Sequence, residues 1–388
     1  MRLHHVRVLT GAGLSAPTTV QLPIADGDDR DASGLILSPG LTDLHAHLRD
    51  PGFPQKETLE SGAASAAFGG FTHVVAMANT NPVTDRPDRL HSLVVRAQAL
   101  PIHVSFVGAL TVGLEGGTLT DAPAFRAAGA VALSDDGRHA MHPSILRSAL
   151  EEAAEAGLPV LIHPQKEALG SGADAEVAAV AEALEVLATV RQARVHLQHV
   201  STRAAVDLIR LAKAGGLPVT AEVTPHHLAL TADDVASAGL PGRVNPPLRS
   251  AEDRQAVREA LVEGVIDAIA TDHAPHDAAA KAAGANGFHG FETVLGIVLS
   301  LGLDYRVIYR ACVQRPREII GATDGAEHRE GSFGDWILID PELDWTVDPA
   351  SFRSRGKNSP FAGRRLHGRA VMTVCRGQVL FERMVQRV

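Results

Sequence analysis

Cysteine and aromatic residues are scarce in this chain of 388 residues. It has two cysteines, Cys312 and Cys375, and aromatic side chains make up 4% of the residues. The cysteines are far apart in sequence and form no Cys-x-x-Cys pair, so the sequence indicates neither a disulfide framework nor a thiolate metal site. We expect both thiols to be buried and unreactive.

A net positive charge and long hydrophobic runs are also absent from the sequence. The chain has 36 Lys and Arg against 45 Asp and Glu, a formal net charge of -9, which argues against a nucleic-acid partner. Its apolar segments are interrupted before they reach the length of a membrane span, and residues 1–7 lack the apolar core of a signal peptide. We therefore predict a cytoplasmic protein that acts on a small molecule and binds no membrane.

The most informative stretch that is present is residues 38–50, Ser-Pro-Gly-Leu-Thr-Asp-Leu-His-Ala-His-Leu-Arg-Asp. Side chains alternate between the two faces of a strand, so His45 and His47 are expected to point the same way and to bind one metal ion together. Two unrelated histidines are the simpler reading of an isolated His-x-His. The preceding Pro-Gly turn and apolar run, and the polar turn that follows, favour the metal site.

After Pro39, short β-rich runs alternate with alanine-rich helical stretches, which predicts βα units and a parallel sheet. Counting the runs gives about eight strands, the number that closes a (β/α)8 TIM-type barrel. They are the run into His45 and residues 72–77, 102–107, 130–134, 159–163, 194–200, 218–223 and 266–272. With 45% hydrophobic residues, the chain can bury a core of that size.

The two ends of the chain have shorter, strand-like patterns with turns between them. We predict that residues 1–38 and 325–388 pair into one composite β-sandwich domain beside a barrel of residues 39–324.

Barrel enzymes carry their chemistry at the C-terminal ends of the strands. Ionisable residues at the predicted ends comprise four imidazoles and two or three carboxylates, which indicates a mononuclear or binuclear metal site. They are His45, His47, Asp135, Asp136, His163, His199 and Asp272.

The remaining histidines have weaker claims to a role in this site. His196 lies three residues before His199, so we expect it on the opposite face of its strand, packed against helices. For His226 and His227 we favour structural hydrogen bonds over an approach to the mouth. His289 lies in the segment 277–290, whose Ala and Gly content suggests a mobile lid, and its role stays open.

Several motifs together resemble the dihydroorotases of the larger bacterial class, within the amidohydrolase superfamily, and the match spans essentially the whole chain. The motifs are residues 43–52 (DLHAHLRDPG), 78–82 (ANTNP), 199–202 (HVST), 221–228 (AEVTPHHL), 245–249 (NPPLR) and 270–276 (ATDHAPH).

The resemblance implies that His45, His47 and Asp272 hold one metal, that His163 and His199 hold a second, and that Asp136 rather than Asp135 contacts both. It also implies one or two Zn2+ ions, Asp272 as the catalytic acid and base, and substrate contacts from His47, Arg49, Asn79, Asn245, His276, Asn286 and Gly287. Arg49, two residues past His47 on the same face, suits a substrate carboxylate. For Asn79 and Asn245, capping a loop is the alternative role.

Two departures from related patterns affect this prediction. Hydantoinase-type relatives use a carboxylated lysine to bridge their metals, and no lysine here stands at a suitable strand end, which favours the Asp136 carboxylate as the bridge. The loop 284–290 lacks the Phe-Gly pattern of the family, so the contacts of Asn286 and Gly287 are less well founded.

The implied activity is the reversible hydrolysis of (S)-dihydroorotate to N-carbamoyl-L-aspartate in pyrimidine biosynthesis. The alternatives are another cyclic amidohydrolase, such as a dihydropyrimidinase, hydantoinase or allantoinase, and a non-catalytic scaffold for aspartate carbamoyltransferase. A homodimer and association with that transcarbamoylase are further expectations.

Overall fold

The computed structural model describes residues 1–24, 28–138, 142–239, 242–322 and 334–383. The sequence-based domain boundary at 324/325 lies outside the described residues. The N-terminal segment forms five strands: β1 (Arg2–Thr10), β2 (Gly13–Leu14), β3 (Thr18–Gln21), β4 (Asp29–Asp31) and β5 (Ile36–Pro39).

Eight parallel strands follow and form a nearly closed barrel, arranged in chain order. They are β6 (Leu41–Ala46), β7 (Phe71–Ala76), β8 (His103–Gly108), β9 (Ala130–Ser134), β10 (Val160–Ile162), β11 (Val195–Leu197), β12 (Val219–Val223) and β13 (Ala268–Ile269). Every predicted barrel strand is present, which confirms the (β/α)8 fold. The last strand meets the first through a parallel bridge between Ala46 and His273 and a hydrogen bond from the His47 amide to the His273 carbonyl.

The chain ends in β14 (Trp336–Thr346), β15 (Arg365–Cys375) and β16 (Gln378–Glu382), which join the N-terminal strands in one mixed sheet. Strand β5 is the connection, because it pairs parallel with β1 and antiparallel with β14. The predicted association of the two chain ends is therefore confirmed as a shared β-rich part. It has its own apolar cluster, which includes Leu3, Leu37 and Trp336.

Helices surround the barrel. They are α1 (Leu59–Gly69), α2 (Pro87–Ala97), α3 (Ala122–Ala128), α4 (Pro143–Glu155), α5 (Ala173–Leu187), α6 (Arg203–Ala214), α7 (Pro225–Ala229), α8 (Ala232–Ala238), α9 (Ala251–Glu263), α10 (Ala278–Ala282), α11 (Val294–Ser300), α12 (Tyr305–Tyr309) and α13 (Arg315–Ile320), with a π-helical turn, Arg310–Gln314, between the last two. Short 3-10 turns span Val112–Leu114, Glu167–Leu169, Phe291–Thr293 and Pro349–Ser351. Among the described residues, no helix has the length and apolar character needed to cross a bilayer.

Local sequence explains where the first barrel unit begins and turns. Gly40 precedes β6, and a Cβ there would lie 2.1 Å from Thr72 Oγ1, so a side chain would separate β6 from β7. Thr58 caps α1 by accepting a hydrogen bond from the Ser61 amide, and Ser61 bonds back to the Thr58 amide. Gly70 then ends the helix with a left-handed φ of 92°, which costs glycine little. Gly40 therefore lets β6 pair closely with β7, and the two caps set the ends of the helix that connects these strands.

Candidate active site

The predicted site residues converge at the C-terminal end of the barrel. His45 lies within β6 and is fully buried, whereas His47, Asp136, His163, His199 and Asp272 all lie just past strand ends. Some of the strands are shorter than the sequence suggested, so several candidates stand on the first residues of loops. His199 and Asp272 have left-handed φ values of 31° and 46°, which turn the chain sharply at the rim.

Asp136 joins two groups of ligand-type atoms. Its Oδ1 lies 3.2 Å from His45 Nε2 and 3.5 Å from His163 Nδ1, and its Oδ2 lies 3.5 Å from His47 Nε2. Within each of two triads, the nearest donor atoms all lie within 4.8 Å of one another: His45, His47 and Asp136, and Asp136, His163 and His199. Asp272 adjoins the first triad, with Oδ1 3.1 Å from His47 Nε2.

Asp135 points elsewhere, although it is the immediate neighbour of Asp136. Its Oδ1 accepts hydrogen bonds from the amides of Leu110 and Thr111, both 2.9 Å, and its Oδ2 accepts one from the Thr111 hydroxyl. Asp135 therefore supports the loop after β8, and Asp136 is the carboxylate that faces the histidines.

Three of the histidines are oriented by an acceptor at the ring nitrogen that faces away from Asp136. His45 Nδ1 lies 2.8 Å from Glu222 Oε1, His47 Nδ1 lies 2.9 Å from Asn79 Oδ1, and His163 Nε2 lies 3.1 Å from Gln165 Oε1. When each of these N–H groups donates to its acceptor, the other nitrogen of the ring, which faces Asp136, is the one available to bind a proton or a metal ion. This arrangement is typical of histidines that bind a metal.

Burial and charge compete in this cluster. Burial disfavours the charged form of His45, but the Asp136 and Glu222 carboxylates outweigh it and raise the pKa of His45 well above its ordinary value. Burial likewise opposes ionisation of Asp136, yet the neighbouring imidazoles hold its pKa well below the ordinary range. Burial, assisted by His163 and His45, lowers the pKa of His199 well below its ordinary value, so this ring is neutral.

The donor set fits a divalent transition metal such as zinc. Imidazole nitrogens and carboxylate oxygens are common zinc ligands, and a neutral ring is the form that binds. His199 Nε2 lies 2.8 Å from His163 Nδ1. Two lone pairs this close would repel each other, so one of the two nitrogens carries a proton unless a metal ion takes the place of that proton.

A cavity of about 250 Å3 opens above these groups. It is lined by all seven residues that the sequence indicated for substrate binding: His47, Arg49, Asn79, Asn245, His276, Asn286 and Gly287. Asn79 donates from Nδ2 to Asp136 Oδ2 at 3.3 Å, and Asn245 donates to Gln165 Oε1 at 2.7 Å. Both amides therefore bond to groups of the site itself as well as standing in loops.

Arg49 reaches the cavity by a route that strand alternation did not predict. Strand β6 ends at Ala46, and Arg49 has a left-handed φ of 60°. The expectation that Arg49 shares a strand face with His47 is therefore wrong, although the side chain lines the cavity. Its Nη2 lies 3.3 Å from His276 Nε2, and burial lowers the pKa of Arg49 to about 10, which leaves the guanidinium charged at neutral pH.

The segment 277–290 is partly helical, since it contains α10, and a buried lysine fixes its second half. Lys281 Nζ donates to the carbonyls of Ala285 and Gly287 at 2.8 and 2.9 Å and lies 3.3 Å from that of Arg243. Gly287 has a φ of 104°, and a Cβ there would lie 2.6 Å from the Ala274 Cβ. A glycine is thus required where this segment forms the cavity wall.

Four other histidines bond or pack outside the two triads. His196 is buried and bonds to Thr220 Oγ1 and Glu222 Oε2, and His227 bonds to Thr224 Oγ1 and the Pro246 carbonyl. His226 packs edge-on against Phe288, with ring centroids 5.0 Å apart. His289 is fully buried, stacks on Phe352 and lies 3.2 Å from Ser65 Oγ.

Sequence reasoning missed two buried carboxylates that organise the rim. Glu222 bonds to His45 and His196, and despite burial these partners hold its pKa at about 2. Asp43 accepts bonds from the Thr271 amide at 2.8 Å and the Thr271 hydroxyl at 2.6 Å, beside Asp272. A buried Glu on a predicted strand, in Ala221-Glu222-Val223, was the available signal for the first, because an unpaired charge is rarely buried.

Comparison with known proteins identifies the family of this chain. A dihydroorotase from Anaeromyxobacter dehalogenans strain 2CP-1 is 43% identical over 380 residues, covering 91% of this chain and 88% of the relative. The chain belongs to the dihydroorotase family. A dihydroorotase from Syntrophotalea carbinolica is 39% identical over 94% of this chain and 92% of its own. A family profile described as Dihydro-orotase-like matches residues 34–183.

Solved structures extend the likeness to the superfamily. An L-hydantoinase from Arthrobacter aurescens has a TM-score of 0.88 at 26% identity, covering 100% of this chain and 97% of that one. A dihydropyrimidinase from Brevibacillus agri, at 20% identity and a TM-score of 0.83 over 98% of this chain and 95% of its own, shares the fold. As a dihydroorotase-family member with hydantoinase-like architecture, the chain is a cyclic amidohydrolase.

Proposed function

We propose that this chain is a zinc-dependent dihydroorotase, which reversibly hydrolyses (S)-dihydroorotate to N-carbamoyl-L-aspartate in the de novo pathway to UMP. The observation that carries the proposal is that the Arg49 guanidinium lines the same cavity as five of the candidate metal ligands, His47, Asp136, His163, His199 and Asp272. Dihydroorotate has a cyclic amide to be opened and a carboxylate to be bound, and the cavity offers a group for each.

Two zinc ions would be held by residues of the two triads together with Asp272. His45, His47 and Asp272 would hold one, His163 and His199 the other, and Asp136 would be shared. Bound zinc supplies a Lewis acid that polarises a carbonyl oxygen and lowers the pKa of water to about 7.

Asp272 is the residue proposed to move the proton. Its carboxylate lines the cavity beside His47 and takes a proton from the attacking water as the water oxygen bonds to the ring carbonyl carbon. The same proton then passes to the ring nitrogen as the C–N bond breaks. In the reverse direction, Asp272 removes a proton from the carbamoyl nitrogen.

Arg49 is proposed to fix the orientation of the ring. A guanidinium pairs with a carboxylate through two charge-assisted hydrogen bonds, and burial of Arg49 makes an unpaired state costly. Asn79 and Asn245 flank the cavity with amide groups that can bond to the ring amides.

The decisive experiment combines metal analysis with dihydroorotate turnover for the purified chain and for Asp136→Asn and Asp135→Asn. We expect one or two zinc ions per chain and turnover in the wild type. Asp136→Asn should lose metal and activity, whereas Asp135→Asn should keep its metal because it contacts only the loop after β8. The reverse pattern would reassign the ligand, and a metal-loaded wild type without turnover would favour the scaffold role.

Family membership also supports three less direct proposals: a cytoplasmic location, a homodimer, and association with aspartate carbamoyltransferase. Light scattering of the chain alone and mixed with the transcarbamoylase tests the last two. A mass equal to one chain for the protein alone would contradict the homodimer, and a mixture that gives only the masses of the two separate proteins would contradict the association.

A further inference from the structure

A second cavity, of about 330 Å3, lies at the opposite end of the barrel from the candidate active site. Two of its lining residues are His73, the third residue of β7, and His103, the first residue of β8. The other residues that matter here are Arg317 of α13, Asp335, and Arg376 after β15. We call it the base cavity.

Arg317 is a buried guanidinium with an unused donor at this cavity. The residue is 2% exposed, its Nε donates to Thr42 Oγ1 at 3.0 Å, and its Nη2 donates to the Gly40 carbonyl at 2.9 Å. Its Nη1 is also buried and has no hydrogen-bond partner in the part of the chain that the structure describes. A buried, unsatisfied donor on a charged group is unfavourable, so a bound acceptor would be stabilising.

Arg376 brings a second guanidinium to the same space. Its Nη1 donates to the Leu100 and Gln98 carbonyls at 3.2 and 3.3 Å, and its Nη2 lies 3.4 Å from His103 Nδ1. These contacts hold the side chain across the ends of α2 and β8. Two guanidinium groups therefore line one cavity from different elements.

Among the described residues, the lining of the base cavity carries more positive than negative charge. Asp335 provides the carboxylate of this lining, and it already pairs with His103 Nε2 at 3.0 Å and accepts from the Arg376 amide at 3.0 Å. Burial, reinforced by nearby cations, lowers the pKa of His73 to about 3, so that ring is neutral. Two guanidinium groups against one carboxylate leave a net positive charge on the described lining residues.

A metal ion is the rival occupant, because His103, Asp335 and Cys375 offer donor atoms within 4.8 Å of one another. Both ring nitrogens of His103 are already engaged, one by Asp335 and the other by the Arg376 cation. Burial, reinforced by Asp335, also raises the pKa of the Cys375 thiol, so the thiolate that a metal needs is disfavoured. The surroundings therefore favour an anion.

We propose that the base cavity binds a small oxyanion, a phosphate or carboxylate group, between the guanidinium groups of Arg317 and Arg376. Arginine is the residue best suited to oxyanions, and Arg317 Nη1 is a buried donor without a partner among the described residues. Val94 and Val104 also line the cavity and would accept an apolar part of an organic anion.

The test is calorimetric titration of the metal-loaded protein with inorganic phosphate at constant ionic strength. Arg49 in the active-site cavity could also attract phosphate. The variants therefore show whether phosphate binds in the base cavity or in the active site. Arg376→Met removes the partly exposed guanidinium of the base cavity, Arg317→Met removes the buried one, and Arg147→Met is a control at an exposed arginine of α4. Dihydroorotate turnover checks that each variant is folded.

Wild type and Arg147→Met should give the same isotherm. Arg376→Met, with turnover unchanged, should weaken one phosphate-binding event at least about tenfold, as expected for a lost charge-assisted hydrogen bond. Arg317→Met should weaken the same event. An unchanged isotherm for folded Arg376→Met overturns the proposal. So does a zinc equivalent per chain that disappears in Cys375→Ser, since the cavity would then be a metal site.

Discussion

At the scale of single residues, the candidate site depends on which atom of each side chain is left free. Glu222, Asn79 and Gln165 each occupy one nitrogen of a histidine, so the opposite nitrogen faces Asp136. The motifs contain Asn79 and Glu222, but they do not show that these side chains orient the histidines, and Gln165 lies outside them. The chemistry of the site therefore depends on these orienting partners as much as on the histidines themselves.

Asp272→Asn preserves size and removes the proposed base. We expect turnover of dihydroorotate to fall at least about 100-fold, the lower end of what a positioned acid and base contributes. Steady-state kinetics at saturating substrate measure the effect, and Asp207→Asn on the exposed face of α6 is the matched control. Turnover near that of the wild type in Asp272→Asn would exclude the proton-transfer role.

Arg49→Met tests what selects the substrate. Dihydrouracil lacks the ring carboxylate and would leave the partly buried guanidinium without that partner, so the wild type should prefer dihydroorotate. Replacing Arg49 should reduce that preference by about 1.5–3 kcal/mol, the range for hydrogen bonds to charged groups, or roughly ten- to a hundred-fold in relative kcat/KM.

The measurement is kcat/KM for both substrates with wild type, Arg49→Met and Arg147→Met. A wild type that opens both rings equally well, or a ratio that Arg49→Met leaves unchanged, would favour a broader cyclic amidohydrolase such as the structurally similar L-hydantoinase.

At the scale of elements, the segment 277–290 is the one whose behaviour is least determined by its composition. Its alanines and glycines suggested a lid, and the structure adds a short helix and a lysine with three carbonyl contacts. Burial lowers the pKa of Lys281 to about 8, so the ammonium form is still favoured at neutral pH. Whether the segment acts as a lid stays a prediction.

Lys281→Met should loosen the cavity wall formed by Asn286 and Gly287, because three carbonyls lose a charged donor. We expect KM for dihydroorotate to rise about tenfold with a smaller change in kcat, as one charge-assisted hydrogen bond would account for. Protease cleavage between 277 and 290 should also become faster. Lys213→Met on α6, which removes one ion pair with Asp267, is the control.

A saturating concentration of N-carbamoyl-aspartate tests the lid itself. The product should slow cleavage within this segment in the wild type and should do so less in Lys281→Met. Equal cleavage of the wild type with and without product would contradict lid closure.

At the scale of the whole molecule, buried neutral histidines make the fold sensitive to acid. Burial is the largest cause that lowers the pKa of His73 to about 3 and that of His227 to about 4. The unfolded chain takes up protons near pH 6.5, above these values, so stability is present above pH 6.5 and falls as the pH drops towards 4. At pH 5 each histidine should cost about 2 kcal/mol of unfolding free energy relative to pH 8.

Melting temperatures at pH 8, 6 and 5 test this expectation. The wild type should melt progressively lower, and His73→Gln should lose less between pH 8 and 5 because it has no proton to gain. A melting temperature independent of pH across that range would show that other groups compensate.

The barrel was predictable because eight short apolar runs recur with helical stretches between them, and that period is visible locally. The histidines and Asp272 were visible because they stand at the ends of those runs. Contacts between distant segments were not visible. Glu222 bonds to His45 across 177 positions of sequence. Arg49 enters the cavity through a left-handed turn, and an arginine at that position does not predict such a turn.

The barrel closes where Asp43 bonds to Thr271, across 228 positions of sequence, with Ala46 and His273 bridged beside them. His47 follows the first barrel strand and Asp272 follows the last, so the two residues lie on opposite sides of this closure. Bringing together segments so far apart has a large entropic cost and is slow compared with local helix formation. A growing chain therefore has no Asp272 carboxylate beside His45 and His47 until it has been synthesised past residue 272, and the recovery of activity during refolding should report directly on the joining of the first and last barrel strands.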